Sequence, residues 1–456
     1  MDNRTEGFRR SLDAGRIPNH LYFIVALVAL LLVTDGFGTQ AIGFVAPAIG
    51  KAWALKKGAL TGVITMGLVG VMIGACGVTP LADRIGARRI LIGCALTYGV
   101  LMCGTALAHD LPGLLWMRLL SGVALGGAMP TGIALLSEYS PTRLRATFVT
   151  AVVCGFSLGG ALGGFVATLV ITRYGWPMVF LVGGVAPILL APALFLYLPE
   201  SLPRVLAGQA NARAVAIARK LSPGWTSAPA PTAPVAAGGR RAPVVGLFED
   251  GLALPTLLIW VVYFMSLMVL YALSNWLPTI ITDAGMPMSA ANAATSFYQL
   301  AGIVGALLFS FLCDKVGSRR VLPLIFLGAS VFCFLIGAAG RNPSLVVGAA
   351  AAAGLFVVGG QSAANAFVGN FYPSHVRATG IGWALGMGRL GTILGSSVIG
   401  LMIEAGAQAH TLFEICAAPG LFAALAIWLV AGHKRRETPA ELATEPVAGQ
   451  VRAAEA

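Results

Sequence analysis

The chain has 456 residues, 57% of them hydrophobic and only 11% charged, with a formal net charge of +12. A water-soluble domain carries about 25% charged residues, so this composition cannot cover a surface in water and excludes a soluble enzyme, a nucleic-acid-binding domain and a disordered chain. An integral membrane protein remains, and its surplus of Lys and Arg then belongs to loops on the cytoplasmic side.

A helix needs about 20 apolar residues to cross the hydrocarbon core. Twelve stretches meet that length: 20–49, 59–80, 90–108, 111–136, 146–172, 176–198, 253–282, 291–312, 321–340, 343–371, 378–403 and 411–431. The first outruns the roughly 7–15 apolar residues of a signal peptide and carries Asp35, so it reads as a span and not as a cleaved leader. Residues 199–251 contain Ser222-Pro223-Gly224 and a Pro/Ala run from Ala228 to Pro234, and they read as a mobile linker. That linker divides the spans six and six. The expected organisation is a cytoplasmic tail 1–19, a six-helix bundle 20–198, the linker 199–251, a second bundle 252–431 and a cytoplasmic tail 432–456.

With both termini in the cytoplasm, 23 of the 30 Lys and Arg fall in cytoplasmic segments. Arg118 and Arg389 lie within spans, and only Lys51, Lys56, Lys57, Arg173 and Arg341 fall outside. The bias fits the positive-inside rule, against which the three lysines after span 1 run. The 58 glycines suit closely packed membrane helices. The seven cysteines (76, 94, 103, 154, 313, 333 and 416) show no CxxC spacing and read as free thiols, with no disulfide or metal role.

The two halves repeat. Leu81-Ala82-Asp83-Arg84-Ile85-Gly86-Ala87-Arg88-Arg89 returns 231 residues later as Leu312-Cys313-Asp314-Lys315-Val316-Gly317-Ser318-Arg319-Arg320. Pro141-Thr142-Arg143-Leu144-Arg145-Ala146-Thr147 returns 232 residues later as Pro373-Ser374-His375-Val376-Arg377-Ala378-Thr379. Duplicated six-span halves are an architecture of secondary transporters, which bind near midplane between the repeats.

On these residues the chain resembles the major facilitator superfamily. The loop motif after span 2 and its copy after span 8 carry the likeness, together with Leu198-Pro199-Glu200-Ser201 after span 6. It is similar, more narrowly, to the aromatic acid:proton symporters, the 4-hydroxybenzoate and benzoate carriers. The matching stretches are Asp35 to Phe44, Arg118-Leu119-Leu120-Ser121-Gly122, Ser137-Glu138-Tyr139-Ser140-Pro141 and Gly388-Arg389-Leu390-Gly391. The likeness implies an all-α polytopic fold of twelve transmembrane helices in two pseudo-symmetric six-helix bundles. It implies a monomeric carrier in a bacterial inner membrane that takes a small aromatic carboxylate and a proton, with no cofactor. Three features depart from the group: Gly38 stands where a second acid is usual, Thr79 and Ser310 where the loop motif opens with Gly, and Ala87 and Ser318 where Arg or Lys is frequent.

An ionisable residue inside a span is costly and marks function by default. Asp35 lies near mid-depth of span 1; it reads as a carrier of the proton or a contact of the substrate, or as half of a buried ion pair locking two helices. Arg389 in span 11 offers a planar fork to a carboxylate, or serves as partner of an internal acid such as Asp35. Gly382 and Gly386 precede it at helical spacing, so a close-packed face is expected to lead to it. Arg118 in span 4 either bonds between helices or, as the resemblance implies, serves proton transfer or substrate attraction. Thr39 and Gln40, Tyr271, Asn275 and Trp276, Tyr298 and Gln299, Gln361 and Asn365, and Trp383 supply rings and donors that suit an aromatic acid. Gly155, Gly159 and Gly163 form a small-residue stripe for helix packing.

The gating expectation rests on the inner ends of the spans. Asp83, Arg84, Arg88 and Arg89, with Asp314, Lys315, Arg319 and Arg320, make two mixed-charge turns; anchoring by positive charge needs no Asp, so the repeated acid points to a latch that pairs in one state and breaks in the other. Glu138 is expected to pair with Arg143, Arg145 or the loop after span 2, and Arg377 occupies the place of Arg145 in the second half.

Rival classes fare worse. The five His (20, 109, 375, 410 and 433) sit at span ends or in loops, and neither HExxH nor GxxxxGK[ST] occurs, which argues against a membrane enzyme or an ATP-driven pump. A non-transporting sensor carries no appended signalling domain here. Within the superfamily the alternatives are a proton-driven exporter and a symporter of another small organic acid or sugar. The expected function is proton-coupled uptake of an aromatic monocarboxylate.

Overall fold

The computed structural model describes residues 8, 11–13, 17–208, 212–221, 244–249, 251–373 and 376–432. Among them run the helices α1 (Asn19–Ala52), α2 (Thr61–Ile85), α3 (Ala87–Thr105), α4 (Leu111–Gly126, continued by Ala128–Tyr139), α5 (Arg145–Tyr174) and α6 (Pro177–Tyr197). After the linker follow α7 (Ala253–Asp283), α8 (Met288–Leu312), α9 (Ser318–Ala338), α10 (Pro343–Phe371), α11 (Arg377–Glu404) and α12 (Ala409–Gly432). Each lies within a few residues of an expected span, and no strand occurs among the described residues. In lipid only a helix or a closed barrel satisfies every backbone group, so near-continuous apolar runs of this length become helices.

Met288–Ala338 is an unbroken helical run of 51 residues, apolar on both sides of the charged turn Asp314 to Arg320. As one helix it would be about 77 Å long, more than twice the hydrocarbon thickness. It is two spans, because the chain turns through Cys313–Gly317, where Gly317 takes a φ of +98°. Gly86 ends α2 in the same way with a φ of +106°. Both sit at the Gly of the repeated loop motif, a backbone conformation that L side chains rarely adopt.

The helix pairings repeat between the halves. α1 packs on α5, α2 on α4 and α3 on α6; their counterparts α7 on α11, α8 on α10 and α9 on α12 do the same. Pro47 inside α1 is matched by Pro278 inside α7, with the same spacing of 231 residues as the loop motif. Asp110 caps α4 by accepting from the Gly113 N–H at 2.9 Å. Asn342 caps α10 by accepting from Ser344 and Leu345. These caps satisfy otherwise unpartnered donors of the first turn.

Among the described residues the halves meet chiefly through α1 with α7, α5 with α8, and α2 with α11. Their polar contacts gather toward the face remote from the chain termini. Thr65 and Ser397 share a hydrogen bond of 2.9 Å, Asn292 donates to Thr168 at 3.1 Å, and Ser296 donates to the Ala161 carbonyl at 2.8 Å. Lys57 pairs with Asp283 at 3.4 Å. Gly400 lets α11 close on Thr61 and Trp276, since a methyl there would lie 2.2 Å from the Thr61 hydroxyl. That face is shut.

The linker departs from a uniformly mobile segment. Helices Leu202–Leu206 and Ala212–Leu221 bury Val205, Leu206, Ile217 and Leu221 in the first-half core, and the turn Val244–Leu247 buries Leu247 in the second. Ile217 and Leu221 stand one turn apart and present a single apolar stripe, which gives this segment something to bury. Thr256 donates to the Leu247 carbonyl at 3.0 Å. The linker is therefore fastened at both ends. Residues 222–243, with the Pro/Ala run, and the tail 433–456 lie outside the described residues. Phe8 and Leu12 of the N-terminal tail are also buried, Phe8 edge-on to Tyr139.

Candidate functional site

Asp35 stands halfway along α1 and is 5% exposed. Thr39, one turn on, donates to its Oδ1 at 3.2 Å. Arg118 reaches in from α4, 4% exposed. It donates through Nη1 to the Gly38 carbonyl at 3.1 Å and through Nη2 to the Thr39 carbonyl at 3.4 Å. Arg118 thus holds the backbone of α1 beside Asp35 and leaves the carboxylate to Thr39. Glycines permit this approach: α4 lies so close on α2 that a methyl at Gly122 would sit 2.3 Å from the Gly67 carbonyl. Gly155, Gly159 and Gly163 do the same for α5 on α1, where a methyl at Gly159 would sit 2.0 Å from the Val33 carbonyl.

Tyr98 of α3 closes the cluster. Its hydroxyl fills the place of a Gly38 side chain; a methyl there would lie 1.5 Å from the oxygen. The hydroxyl is buried with no hydrogen-bond partner among the described residues. A cavity of about 10 Å³ lies between Thr39, Arg118 and Asn275, room for about one water. Two of the residues around it keep a buried polar atom without a partner, Nε of Arg118 and Oδ1 of Asn275.

Arg389 belongs to the other half. It is half-buried midway along α11, and among the described residues it makes no ion pair within 4 Å. The close-packed face expected before it is absent. Gly382 and Gly386 are exposed, and a methyl at either would meet nothing within 4 Å. The reason is the direction of closure: the halves meet at the far face, so this side of α11 looks onto open space.

The remaining expected site residues fall into separate groups. Gln40 and Gln299 meet across the halves, Gln299 donating to Gln40 Oε1 at 2.6 Å and to Ser274 at 3.2 Å. Asn275 donates to the Ser396 hydroxyl at 3.2 Å and Trp276 to the Ser396 carbonyl at 2.8 Å, fixing α7 on α11. Tyr271 is buried one turn before Asn275. Tyr298 donates to the Leu270 carbonyl at 3.5 Å. Ser266 and Gln361 (2.6 Å), Gln361 and Asn365 (3.1 Å), and Tyr263 and Asn365 (2.8 Å) form a chain between α7 and α10. Trp383 is 44% exposed and stacks on Trp260 with ring centroids 5.5 Å apart.

At the termini face the two copies of the loop motif differ. The first is docked. Glu200, 8% exposed, accepts from the Ser201 N–H at 3.0 Å and the Arg88 N–H at 3.4 Å. Arg88 donates to the Phe195 carbonyl and lies over the Phe195 ring. Arg204 donates to the Arg84 carbonyl at 2.6 Å. Glu138 accepts from the Leu202 N–H at 2.7 Å, so it holds the segment after α6. Asp83 lies in the last turn of α2, and its side chain is outside the described residues. Arg145 begins α5 with a buried Nε that has no hydrogen-bond partner among the described residues. In the second copy Asp314 and Arg319 are exposed and make no ion pair within 4 Å among the described residues. Arg377 donates to the Tyr372 carbonyl at 3.1 Å, and His375 is outside the described residues.

Sequence reasoning missed Tyr98, Ser396 and the carboxylate of Glu200. Nothing local signals Tyr98, an aromatic residue in an apolar run. Glu200 is legible as an acid in Leu198-Pro199-Glu200-Ser201, but one of its partners, the Arg88 N–H, lies over a hundred residues away.

A family model described as Major Facilitator Superfamily matches residues 28–292 and 259–453. The chain is 37% identical over 431 residues to a gallate transporter of Pseudomonas putida, covering 94% of this chain and 96% of that protein. It is 35% identical to the 4-hydroxybenzoate transporter PcaK of the same organism, covering 87% and 90%. It is 34% identical to the 3-(3-hydroxy-phenyl)propionate transporter of Escherichia coli (strain K12), covering 92% and 96%.

Proposed function

The chain belongs to the Major Facilitator Superfamily, and on that footing we propose that it carries a small aromatic monocarboxylate of the 4-hydroxybenzoate type, together with a proton, into the cell across a bacterial inner membrane by alternating access. It is a multi-pass membrane transport protein and not an enzyme. The substrate class follows from the named cargoes of its relatives. Orientation follows from the Lys and Arg bias, which puts both termini and the linker in the cytoplasm. The shut face is then the outer one, and this is an inward-facing state of two six-helix halves, 20–198 and 252–431.

One observation carries the mechanism: the first half buries an acid, Asp35, midway along α1, and the second half holds a guanidinium, Arg389, midway along α11, with no ion pair within 4 Å between them among the described residues. An unbalanced buried charge is costly. Empty, the pair sums to zero. With a proton on Asp35 and a carboxylate on the Arg389 fork, it again sums to zero. Either cargo alone leaves a net charge. The two neutral states are the ones that pass through the closed intermediate at least cost, and that couples proton to anion. Arg118 stays with the α1 backbone and lends a fixed positive field. The rings of Tyr271 and Trp383 and the amides of Gln361 and Asn365 stand on the second-half helices that complete the substrate site. The loop motifs and Glu138 and Arg145 act at the inner gate.

The test is external pH in a weakly buffered suspension of de-energised cells, with vector-only cells as control. Addition of 4-hydroxybenzoate alkalinises the medium when the protein is present, and acetate does not. No protein-dependent pH change with 4-hydroxybenzoate, gallate or benzoate overturns proton-coupled aromatic uptake and favours an exporter or another substrate class.

A further inference from the structure

The cations that break the positive-inside bias are not scattered. Lys51, Lys56 and Lys57 line a cavity of about 660 Å³ on the shut face, and Lys57 and Arg341 line a neighbouring cleft of about 400 Å³. Four of the five basic residues on that face therefore converge on two clefts that share the Lys57–Asp283 pair. Asp283 is the one acid lining either cleft among the described residues. Its bridge to Lys57 is exposed at both ends, 64% and 35%. Such a pair contributes about 0–1 kcal/mol. Lys51 and Lys56 make no ion pair within 4 Å among the described residues. The larger cleft has apolar walls from Pro47, Leu55, Leu60, Ile171, Trp276 and Met286. Its volume falls within the roughly 300–1,000 Å³ of small-molecule sites.

We propose that this basic vestibule is a second, outer binding site that collects the aromatic carboxylate above the closed seam before the outer gate opens. The carboxylate lies toward Lys51 and Lys56, and the ring lies on the apolar wall. Cations at the mouth of a low-dielectric cleft raise the local concentration of an anion and its rate of capture, and salt abolishes the effect. The lysines that run against the orientation rule then have a reason to be there. This inference rests on the aromatic-anion reading and on the outward placement of this face.

Initial uptake of labelled 4-hydroxybenzoate by intact cells tests it at low and high ionic strength, with sucrose holding osmolarity. The Debye length is about 30 Å at 0.01 M and about 3 Å at 1 M. The double variant Lys51→Gln/Lys56→Gln should raise KM roughly threefold or more at low salt, leave the maximal rate within about twofold, and merge with the wild type as salt rises. Lys51→Arg/Lys56→Arg should stay near the wild type. Arg173→Gln, which removes one cation of this face outside both clefts, should leave KM in place, whereas Lys51→Gln alone, the matched single charge loss inside the cleft, should raise it. Equal KM values for the Gln pair and the wild type at low salt overturn the vestibule while leaving the transport reading intact, as does an equal rise with Arg173→Gln. Absence of uptake by the wild type overturns the transport reading, and this ligand assignment with it.

Discussion

Gln299 of α8 donates its side-chain amide to Gln40 of α1 at 2.6 Å, and both residues are buried, 2% and 1% exposed. This bond crosses from one half to the other at the inner limit of the shut region. A buried acceptor that loses its donor costs about 1–3 kcal/mol. Gln299→Leu should therefore shift the population toward outward opening. The measurement is labelling of Ser296→Cys by an impermeant thiol reagent, in a background lacking the seven native cysteines. Labelling should quicken roughly fivefold or more in Gln299→Leu, and less in Gln40→Leu/Gln299→Leu, where no lone polar group remains. Equal rates in all three would remove this bond from outer closure.

Asp35→Asn keeps an oxygen for Thr39 and abolishes the acid. In proteoliposomes with an imposed pH gradient, accumulation of 4-hydroxybenzoate should fall at least about tenfold, because a neutral Asn beside Arg389 can no longer alternate between the two balanced states. Exchange of preloaded for external substrate should persist, since the anion still finds Arg389. Uphill accumulation by the variant would falsify the assignment of the proton to Asp35.

The hydroxyl of Tyr98 occupies the space of a Gly38 side chain. Gly38→Ala should lose uptake and lower the thermal midpoint in detergent, as overpacking of a tight site costs roughly 1–3 kcal/mol. Gly38→Ala/Tyr98→Leu should recover stability by relieving the contact. Full activity of Gly38→Ala alone would mean that α3 gives way there.

Glu200 accepts two backbone donors at the start of α3 and after α6. Glu200→Ala should lower the melting temperature in detergent, each stranded donor costing about 1–3 kcal/mol. Glu200→Gln keeps one acceptor oxygen and should fall by less. Identical losses would show that charge and not acceptance is what matters.

The apolar runs specified twelve spans because a bilayer allows few alternatives to a helix, and the repeated loop motif specified the two-fold plan. Asp35, Thr39 and Arg118 were legible as candidates because polar groups in hydrocarbon are rare, and the structure brings these three together. Other features depend on contacts distant in sequence. Gly382 and Gly386 resemble the glycines of α5 in spacing, yet those pack and these face open space, since spacing does not say which side of the carrier is closed. The caps Asp110 and Asn342 repeat at the interval that relates Pro141 to Pro373, but both lie in short polar turns that look alike in any loop. The linker ends dock through a few apolar residues in a segment whose composition is dominated by Ala, Pro and Gly.

The prolines inside α1 and α7 also reveal what the duplication left out. The spacing that carries Pro47 onto Pro278 carries Asp35 onto Ser266. The spacing that carries Arg145 onto Arg377 carries Arg389 back onto Ser157. Arg118 falls on Ala349 or Ala350. Each ionised group of the site is thus matched by a small neutral residue. Two first halves assembled together would carry two copies of Asp35 and no Arg389, and two second halves two copies of Arg389 and no Asp35. The peptide tether, fastened at both ends, guarantees that every chain contains one Asp35 and one Arg389, a pairing that separate half-chains would have to find by chance.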